Sequence, residues 1–426
     1  MTLSTRRSPR SWRWLAVTGV AVALTATACG DNNRRTDDAA AGGSQGVTQT
    51  EIKVGGSFPF SGPYAAFGNT SKAIEAYFAC VNEDGGVNGR QIVYSAADDA
   101  YDPGRLAANA RKAVEQDQVA AFMSFGGTNV AIQPYMNEQE VPHIVLAGNT
   151  EFSRVDEFPY THAWWPDLTW EAEYTTQFVM EHPELFPNPE IGLISLNNTL
   201  ADSHIQGTVN ALGDRAATVF PEENRQRVEP TLADWTSQLN QLRAAGVTVL
   251  YMNPGTAGQV NALKYIDQIG WDVKVVLYSG GGSFKTMLEP VGLEAATGVF
   301  TPAWLKDPLD PTWKDDEGMQ RYREVIESCG TDVDADQALT ANGYAAAQAV
   351  VQVLESLGDE EITGKAINEA WMAVEDEEGD VLMPGATLTA GDSGRLIHHY
   401  QMLRFNGTTW EPAAPIADVR ELGIAD

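Results

Sequence analysis

The sequence has little of what several classes of protein depend on. Basic side chains are few: 28 Lys and Arg stand against 58 Asp and Glu, and the net charge is −30. We exclude nucleic acid as a partner, because neutralising phosphates requires basic patches that this composition does not supply. The six histidines are scattered, and His398 and His399, adjacent on a predicted strand, would face opposite sides of a sheet. We therefore predict no metal site, no cofactor and no catalytic residues, and we do not expect an enzyme.

Long apolar runs are also missing. The run from Trp14 to Leu24 is too short to span a bilayer. It follows four arginines and leads through small residues to Cys29, a pattern similar to the export signal of a lipoprotein. We predict a signal peptide over residues 1–28 and a lipid on Cys29 that anchors the protein to the outer face of the cell membrane. Residues 29–48 are polar and small, which predicts a flexible tether.

Cysteine is scarce, with three residues in the chain. Once Cys29 is lipidated, Cys80 and Cys329 remain as an even pair in an oxidising compartment. We predict that they form a disulfide; the alternative is two free buried thiols.

What the chain does contain is an alternation of strands and helices, first seen in residues 52–103. A β-branched run that begins at Ile52 ends in glycines, the apolar positions from 64 to 81 have helical spacing, and residues 91–96 return as a second strand. This βαβ pattern favours a parallel sheet. A helix capped by Asp102 and further strands at 119–123 and 143–146 continue it.

A second series of units starts near residue 164. The predicted strands are 191–196, 217–220, 247–252 and 273–278, and the predicted helices are 169–181, 203–213, 234–245 and 256–269. Residues 298–304 are predicted to cross between domains, helices at 313–328 and 336–357 to return to the first domain, and 395–411 to form a hairpin around Asn406-Gly407.

These patterns predict an α/β fold with two doubly wound lobes joined by a multi-strand hinge. We assign residues 49–163 and 303–394 to lobe 1, and residues 164–302 and 395–426 to lobe 2.

Three short motifs carry a family resemblance: GSFPFSGPYAAFG, NEDGGVNGR and DDAYDP, at their separations within residues 56–103. Together they resemble the opening of the Leu/Ile/Val-binding protein family, the type I substrate-binding proteins of bacterial ABC importers. The resemblance implies that two lobes close on a small-molecule ligand in the cleft between them, and that an ABC permease is the membrane partner. We expect a monomer.

The loops FGGTN and AGNT follow two neighbouring strands and offer backbone N–H groups and hydroxyls, which suit a carboxylate. The resemblance implies that such loops hold the carboxylate of an amino acid and that an aromatic residue of the first loop packs on the ligand. The positions that match or lie nearby are Thr128, Asn129, Gly148, Thr150, Phe67 and Phe60.

The second lobe departs from the family pattern. An acid that would pair with a ligand ammonium is replaced by glycines, including Gly280 and Gly281, and the preceding loop begins with Asn253. Asp202 is an alternative partner for the ammonium, although an Asp before a helix is commonly an N-cap. Trp165 is a candidate for lining the cleft or for packing at the hinge.

We therefore predict an extracytoplasmic solute-binding lipoprotein that delivers a small carboxylate-bearing solute to an ABC importer. The glycines favour an aromatic or other hydrophobic acid, whereas branched-chain and hydrophobic amino acids remain ligands if Asp202 takes the ammonium. The alternative in another class is a receptor domain that senses the ligand for a membrane signalling system.

Overall fold

The computed structural model describes residues 44–229, 232–253, 257–358 and 360–425. The expected signal peptide, Cys29 and the tether up to residue 43 lie outside the described residues. The last part of the predicted tether belongs to the fold, because Val47 is buried and forms an antiparallel bridge with Ile52. Within the described ranges, no helix has both the length and the apolar character needed to cross a membrane.

The first sheet consists of Glu51–Phe58 (β1), Gln91–Asp98 (β2), Ala121–Phe125 (β3), His143–Leu146 (β4) and Thr161–Ala163 (β5). The strands are all parallel and lie in the order β2-β1-β3-β4-β5. β3 and β4 are buried along their whole length, as expected for a parallel sheet that is covered on both faces. The loops after β1, β3 and β4 therefore leave the same edge of the sheet.

The first three helices follow β1, β2 and β3, and they are Gly68–Glu83 (α1), Pro103–Lys112 (α2) and Gln133–Glu138 (α3). The start of α2 agrees with the sequence prediction. Asp102 accepts a hydrogen bond from the N–H of Arg105 at 2.8 Å, and Pro103 occupies the first helical position.

The second sheet consists of Ile191–Leu196 (β6), Arg225–Val228 (β7), Val249–Asn253 (β8), Lys274–Leu277 (β9), Phe300–Ala303 (β10), His399–Phe405 (β11), Trp410–Pro412 (β12) and Ala417–Asp418 (β13). Its order is β12-β11-β10-β9-β8-β6-β7, and β13 pairs with β11. β6 to β10 are parallel, and β11 is antiparallel to its neighbours. The predicted terminal hairpin is present, but the strand predicted to cross between domains is β10, inside this sheet.

The helices of the second series are Leu168–Glu181 (α4), Thr199–Leu212 (α5), Ala216–Val219 (α6), Thr236–Ala244 (α7), Ala257–Gln268 (α8) and Glu289–Val291 (α9). The strand predicted at 217–220 is wrong, because that segment is the short helix α6 and the edge strand is β7. A run of so few apolar residues does not distinguish a strand from a buried helical turn by its periodicity.

The chain then returns to the first sheet through Glu317–Cys329 (α10), Ala338–Ser356 (α11) and Gly364–Met372 (α12). α10 and α11 pack against α1, as predicted. The approach of α11 is close, since a Cβ at Gly343 would lie 2.2 Å from the carbonyl oxygen of Thr70. Cys80 of α1 and Cys329 of α10 form a disulfide, as predicted, with their Cα atoms 5.6 Å apart.

A buried ion pair joins the segments that connect the two sheets. The side chains of Arg395 and Asp167 are 0% and 1% exposed, and Nη2 lies 3.2 Å from Oδ2. Arg395 also donates to the hydroxyl of Ser153 at 2.6 Å and to the carbonyls of Trp165 at 2.6 Å and Asn149 at 2.5 Å. Each nitrogen of the guanidinium therefore has a partner, which helps the fold to tolerate a buried charge.

Candidate functional site

A cavity of about 640 Å³ is bounded by residues that follow strands of both sheets. One wall comes from the loop after β1 and from the start of α11. The other comes from the residues after β9 and β10 and from Trp410 of β12. The carboxyl ends of parallel strands form the edge where open α/β sheets bind ligands, so we take this cavity as the candidate site.

The first wall is aromatic. Phe67 stacks on Phe125 with 4.4 Å between ring centroids, and Trp165 meets Phe125 edge-on at 5.6 Å. The indole N–H of Trp165 donates to Oδ1 of Asn342 at 2.9 Å, which fixes the orientation of the ring. Of the residues predicted from the first sheet and the crossover, Phe67 and Trp165 line the cavity, beside Tyr64.

The opposite wall is aromatic as well. Tyr278, Trp304, Trp313 and Trp410 line it, so seven aromatic rings surround the cavity. The indole N–H of Trp410 donates to the carbonyl of Gly282 at 3.2 Å, which ties the terminal hairpin to the loop after β9. Such a lining suits a ligand with a large apolar body.

Glu171 and Asp310 are the two most deeply buried acids in the wall, each 3% exposed. Asp310 is used by the N–H groups of Thr312 and Trp410.

Glu171 lies in the first turn of α4, and Asp167 caps that helix by accepting from the N–H of Thr169 at 2.8 Å. The carboxylate of Glu171 accepts from the N–H of Ser279 at 2.9 Å and from its hydroxyl at 2.6 Å. Glu171 is 3% exposed, and burial raises its pKa to about 7.

Asp307 is a partly buried carboxylate in the lining. It accepts from the N–H of Leu309 at 2.9 Å and from the N–H of Phe284 at 3.1 Å. Burial raises its pKa to about 6. These bonds stabilise the turn after β10 and leave part of each carboxylate oxygen's accepting capacity unused.

Among the described residues that line the cavity, Lys306 is the one basic side chain. Its ammonium is already bound, with Nζ 2.7 Å from Oδ1 of Asp316 and 3.0 Å from the carbonyl of Asp380. The lining therefore contains carboxylates without a free cation to neutralise a bound anion.

The glycine loop after β9 does not widen the cavity. A Cβ at Gly280 would lie 2.2 Å from the hydroxyl of Tyr278, and one at Gly281 would lie 3.0 Å from Nε2 of Gln259. These glycines do not leave open space in the wall, because the Tyr278 ring folds over the loop. Gly280 lines the cavity and Gly281 lies outside its lining.

The loop FGGTN, predicted to hold a ligand carboxylate, lies outside the cavity lining. Asn129 is buried and closes its own loop, because Nδ2 donates to the carbonyls of Phe125 and Gly126, both at 2.9 Å. Thr128 lies beside it in the helical turn 127–131. The amide of Asn129 is therefore used in forming the turn.

The loop AGNT is engaged with the connection between the sheets and also lies outside the lining. A Cβ at Gly148 would lie 2.7 Å from the carbonyl oxygen of Pro166. The hydroxyl of Thr150 donates to Oδ1 of Asp167 at 3.0 Å. Both residues brace the chain against residues 166–168 instead of facing the cavity.

Three further predicted ligand residues are placed elsewhere. Asp202 is neither a wall residue nor an N-cap: Asn198 caps α5, and Asp202 forms an exposed ion pair with Arg227 at 2.6 Å. Asn253 is buried, with Nδ2 2.8 Å from the imidazole of a histidine in α5. Phe60 is 37% exposed and does not line the cavity.

Sequence reasoning missed three acids of the wall, Glu171, Asp307 and Asp310, and three of its tryptophans. Glu171 falls in the first turn of a predicted helix, where an acid is ordinarily explained by the helix dipole. The tryptophans did give a signal: the chain has 11 of them, and Trp304 ends a predicted strand while Trp313 follows it. Large aromatics just beyond a strand end are candidates for a ligand wall.

Comparison with known proteins fits this geometry. Residues 51–409 match the model of the periplasmic binding protein family. The chain belongs to this family, and it has the fold of the type I periplasmic binding proteins. The predicted family and fold class are confirmed.

Three relatives illustrate the similarity. Leu/Ile/Val-binding protein homolog 1 of Brucella abortus (strain 2308) is 25% identical over 368 residues, which cover 82% of this chain and 92% of that protein. A branched-chain amino acid ABC transporter structure from Thermus thermophilus with bound valine has a TM-score of 0.77 at 16% identity, covering 89% of this chain and 99% of that one. A solute-binding protein from R. palustris in complex with benzoate has a TM-score of 0.68 at 16% identity, covering 86% and 98%.

Proposed function

We propose that this chain is a lipid-anchored solute-binding protein that captures a hydrophobic solute outside the cell and delivers it to an ABC importer. The observation that carries the proposal is the cavity of about 640 Å³ with its seven aromatic rings. Its volume lies within the range of sites for drug-sized ligands, which leaves room for a body larger than a branched aliphatic side chain.

The polar end of the solute is defined by the charged and hydrogen-bonding groups of the wall. The family resemblance favours a carboxylate, in a branched-chain or hydrophobic amino acid or in an aromatic acid, and the solved relatives with valine and benzoate support that class. An amino acid also brings an ammonium, for which Glu171 and Asp307 are suitable partners. A ligand carboxylate would need donors other than Lys306, whose ammonium is taken.

A thermal-shift and calorimetric screen of the purified mature protein tests the site. We expect one or more hydrophobic solutes to raise the unfolding temperature, since a ligand that binds only the native state stabilises it. Ala303→Phe places a ring in the cavity and should abolish the shift. The matched control is Ala217→Phe, an exposed position away from the cavity, which should leave the shift unchanged. A shift that survives Ala303→Phe would place the binding site elsewhere.

The lipid anchor and the importer need separate tests. Cys29→Ser should release the protein from the membrane fraction into the medium, and mass spectrometry of the wild-type N-terminus should show an acylated cysteine. Ligand-loaded protein should stimulate the ATPase of the cognate importer in vesicles. Stimulation of a kinase instead would favour the sensing alternative.

A further inference from the structure

The charges in the cavity wall define the kind of polar group that a ligand can bring. Glu171 and Asp307 are carboxylates held in an apolar, aromatic surrounding, and the ammonium of Lys306 is bound to Asp316. An anionic ligand would add a like charge to this wall, and unfavourable juxtaposition of buried like charges costs several kcal/mol. A cation would instead meet charges that lack a counter-ion.

Glu171 has accepting capacity to spare. A carboxylate can accept about four hydrogen bonds, and Ser279 supplies two of them. Buried polar groups are normally paired, so the unused accepting capacity of Glu171 points to a ligand that donates a hydrogen bond or carries a positive charge.

The aromatic rings of the cavity wall also favour a cationic ligand. A cation is attracted to the faces of Trp, Tyr and Phe when it lies within about 6 Å of the ring centre. The chain already uses this interaction at the cavity, where Nζ of Lys306 lies 5.6 Å from the ring centre of Trp313. Trp165, Tyr278 and other rings are presented to the same space with no protein cation over them among the described residues.

We propose that the cavity binds an organic cation: an amine, primary to quaternary, attached to a bulky apolar body, with Glu171 as its counter-ion and the aromatic rings as its cage. This inference rests on the proposed function and replaces the expected carboxylate end with a cationic one. Glu171 is then the residue that sets specificity.

The test uses calorimetry at pH 8 to compare small phenyl compounds that are cationic, neutral or anionic. The probes are phenethylamine and benzyltrimethylammonium as cations, 2-phenylethanol as the neutral analogue and 3-phenylpropionate as the anion. We expect the cations to bind at least about tenfold more tightly than the neutral and anionic probes, a difference of about 1.4 kcal/mol. This comparison uses the wild-type protein and does not depend on the folding of any variant.

Glu171→Gln removes the charge while keeping the side chain's shape. It should weaken cation binding by about tenfold or more and leave 2-phenylethanol unaffected. Glu173→Gln is the matched control, because Glu173 lies on the same helix, bonds to Asn210 of α5 and does not line the cavity. It should leave all the affinities unchanged.

Three results would overturn the inference. If 3-phenylpropionate binds more tightly than the cations, or if Glu171→Gln leaves cation affinity unchanged, the cavity does not select a cation, although the proposed function stands. If no probe of any charge binds, both the cation inference and the choice of this cavity as the solute site fail.

Discussion

Two acidic side chains at the start of α4 are both buried, yet their surroundings differ. Asp167 faces Arg395, 3.2 Å away, and is surrounded by further donors. Glu171, one turn later, has hydrogen bonds from Ser279 but no cation beside it among the described residues. The first arrangement joins segments of the fold, whereas the second leaves a charge that a ligand can complete. Burial alone therefore does not tell a structural acid from a binding one; the presence of a counter-ion does.

The largest effect on stability should come from breaking the ion pair between Arg395 and Asp167. Arg395→Met leaves Asp167 buried without its counter-ion and removes donors from two carbonyls, so we expect the free energy of unfolding to fall by about 3 to 5 kcal/mol. Chemical denaturation measures it. Arg227→Met breaks the exposed pair with Asp202, whose side chains are 36% and 63% exposed, and should cost less than about 1 kcal/mol. Equal losses in the two variants would contradict the distinction.

Removing the charge of Glu171, which has no counter-ion in the described part of the chain, should raise the free energy of unfolding instead of lowering it. Burial raises the pKa of Glu171 from 4.5 to about 7, so between these pH values the folded state keeps a proton that the unfolded state has released. Wild-type stability therefore falls as pH rises through this window. Without ligand, Glu171→Gln should equal wild type below pH 4.5 and exceed it by about 1 to 3 kcal/mol above pH 7. A variant less stable than wild type at pH 8 would show that Glu171 is structural.

Ligand affinity should follow the same titration. The ionised form of Glu171 attracts a cation, so affinity for phenethylamine should rise by about tenfold or more from pH 5.5 to pH 8. Tyr278 and Tyr400 do not change charge in this range, because burial raises the pKa of each far above it, and Arg395 remains paired with Asp167. Asp307 in the same wall does ionise, since burial raises its pKa to about 6. In Glu171→Gln the rise in affinity should therefore be smaller than in wild type. An affinity for phenethylamine that does not rise with pH would contradict the role of Glu171 as its counter-ion.

The smallest effect is expected at Thr150. Its hydroxyl donates to Asp167 and lies outside the cavity lining, so Thr150→Ala should lower the free energy of unfolding by about 1 kcal/mol and leave ligand affinity unchanged. Calorimetry beside chemical denaturation separates the two quantities. A weakened affinity with intact stability would restore the carboxylate role that the family resemblance implies for this residue.

The sequence predicts those parts of the fold that are specified by residues close together in the chain. The βαβ unit at 52–103 has glycines and helical spacing, α2 has its cap and proline, and the hairpin has Asn406-Gly407. The disulfide follows from elimination in an oxidising compartment. These features depend on residues close in the chain or on a pairing with few alternatives.

The site was harder to predict because its groups meet through distant packing. Glu171 reaches the cavity wall because α4 docks on the loop at Ser279, far along the chain. Asp202 appeared suitable from its place after a strand, but Arg227 on the neighbouring strand binds it at the surface. The glycines of the loop give no sign in the sequence that the ring of Tyr278 fills the space beside them. Strand-end position predicts the correct edge of the sheet and not which side chains face the ligand.

The contribution of Trp410 to the cavity wall affects how the protein matures. Leu403 and Trp410 belong to the hairpin formed by β11 and β12, which is synthesised after nearly all other wall residues. A chain that has not yet formed this hairpin has an incomplete wall. A ligand that requires the finished site cannot stabilise such an intermediate. Solute binding therefore depends on the hairpin being folded.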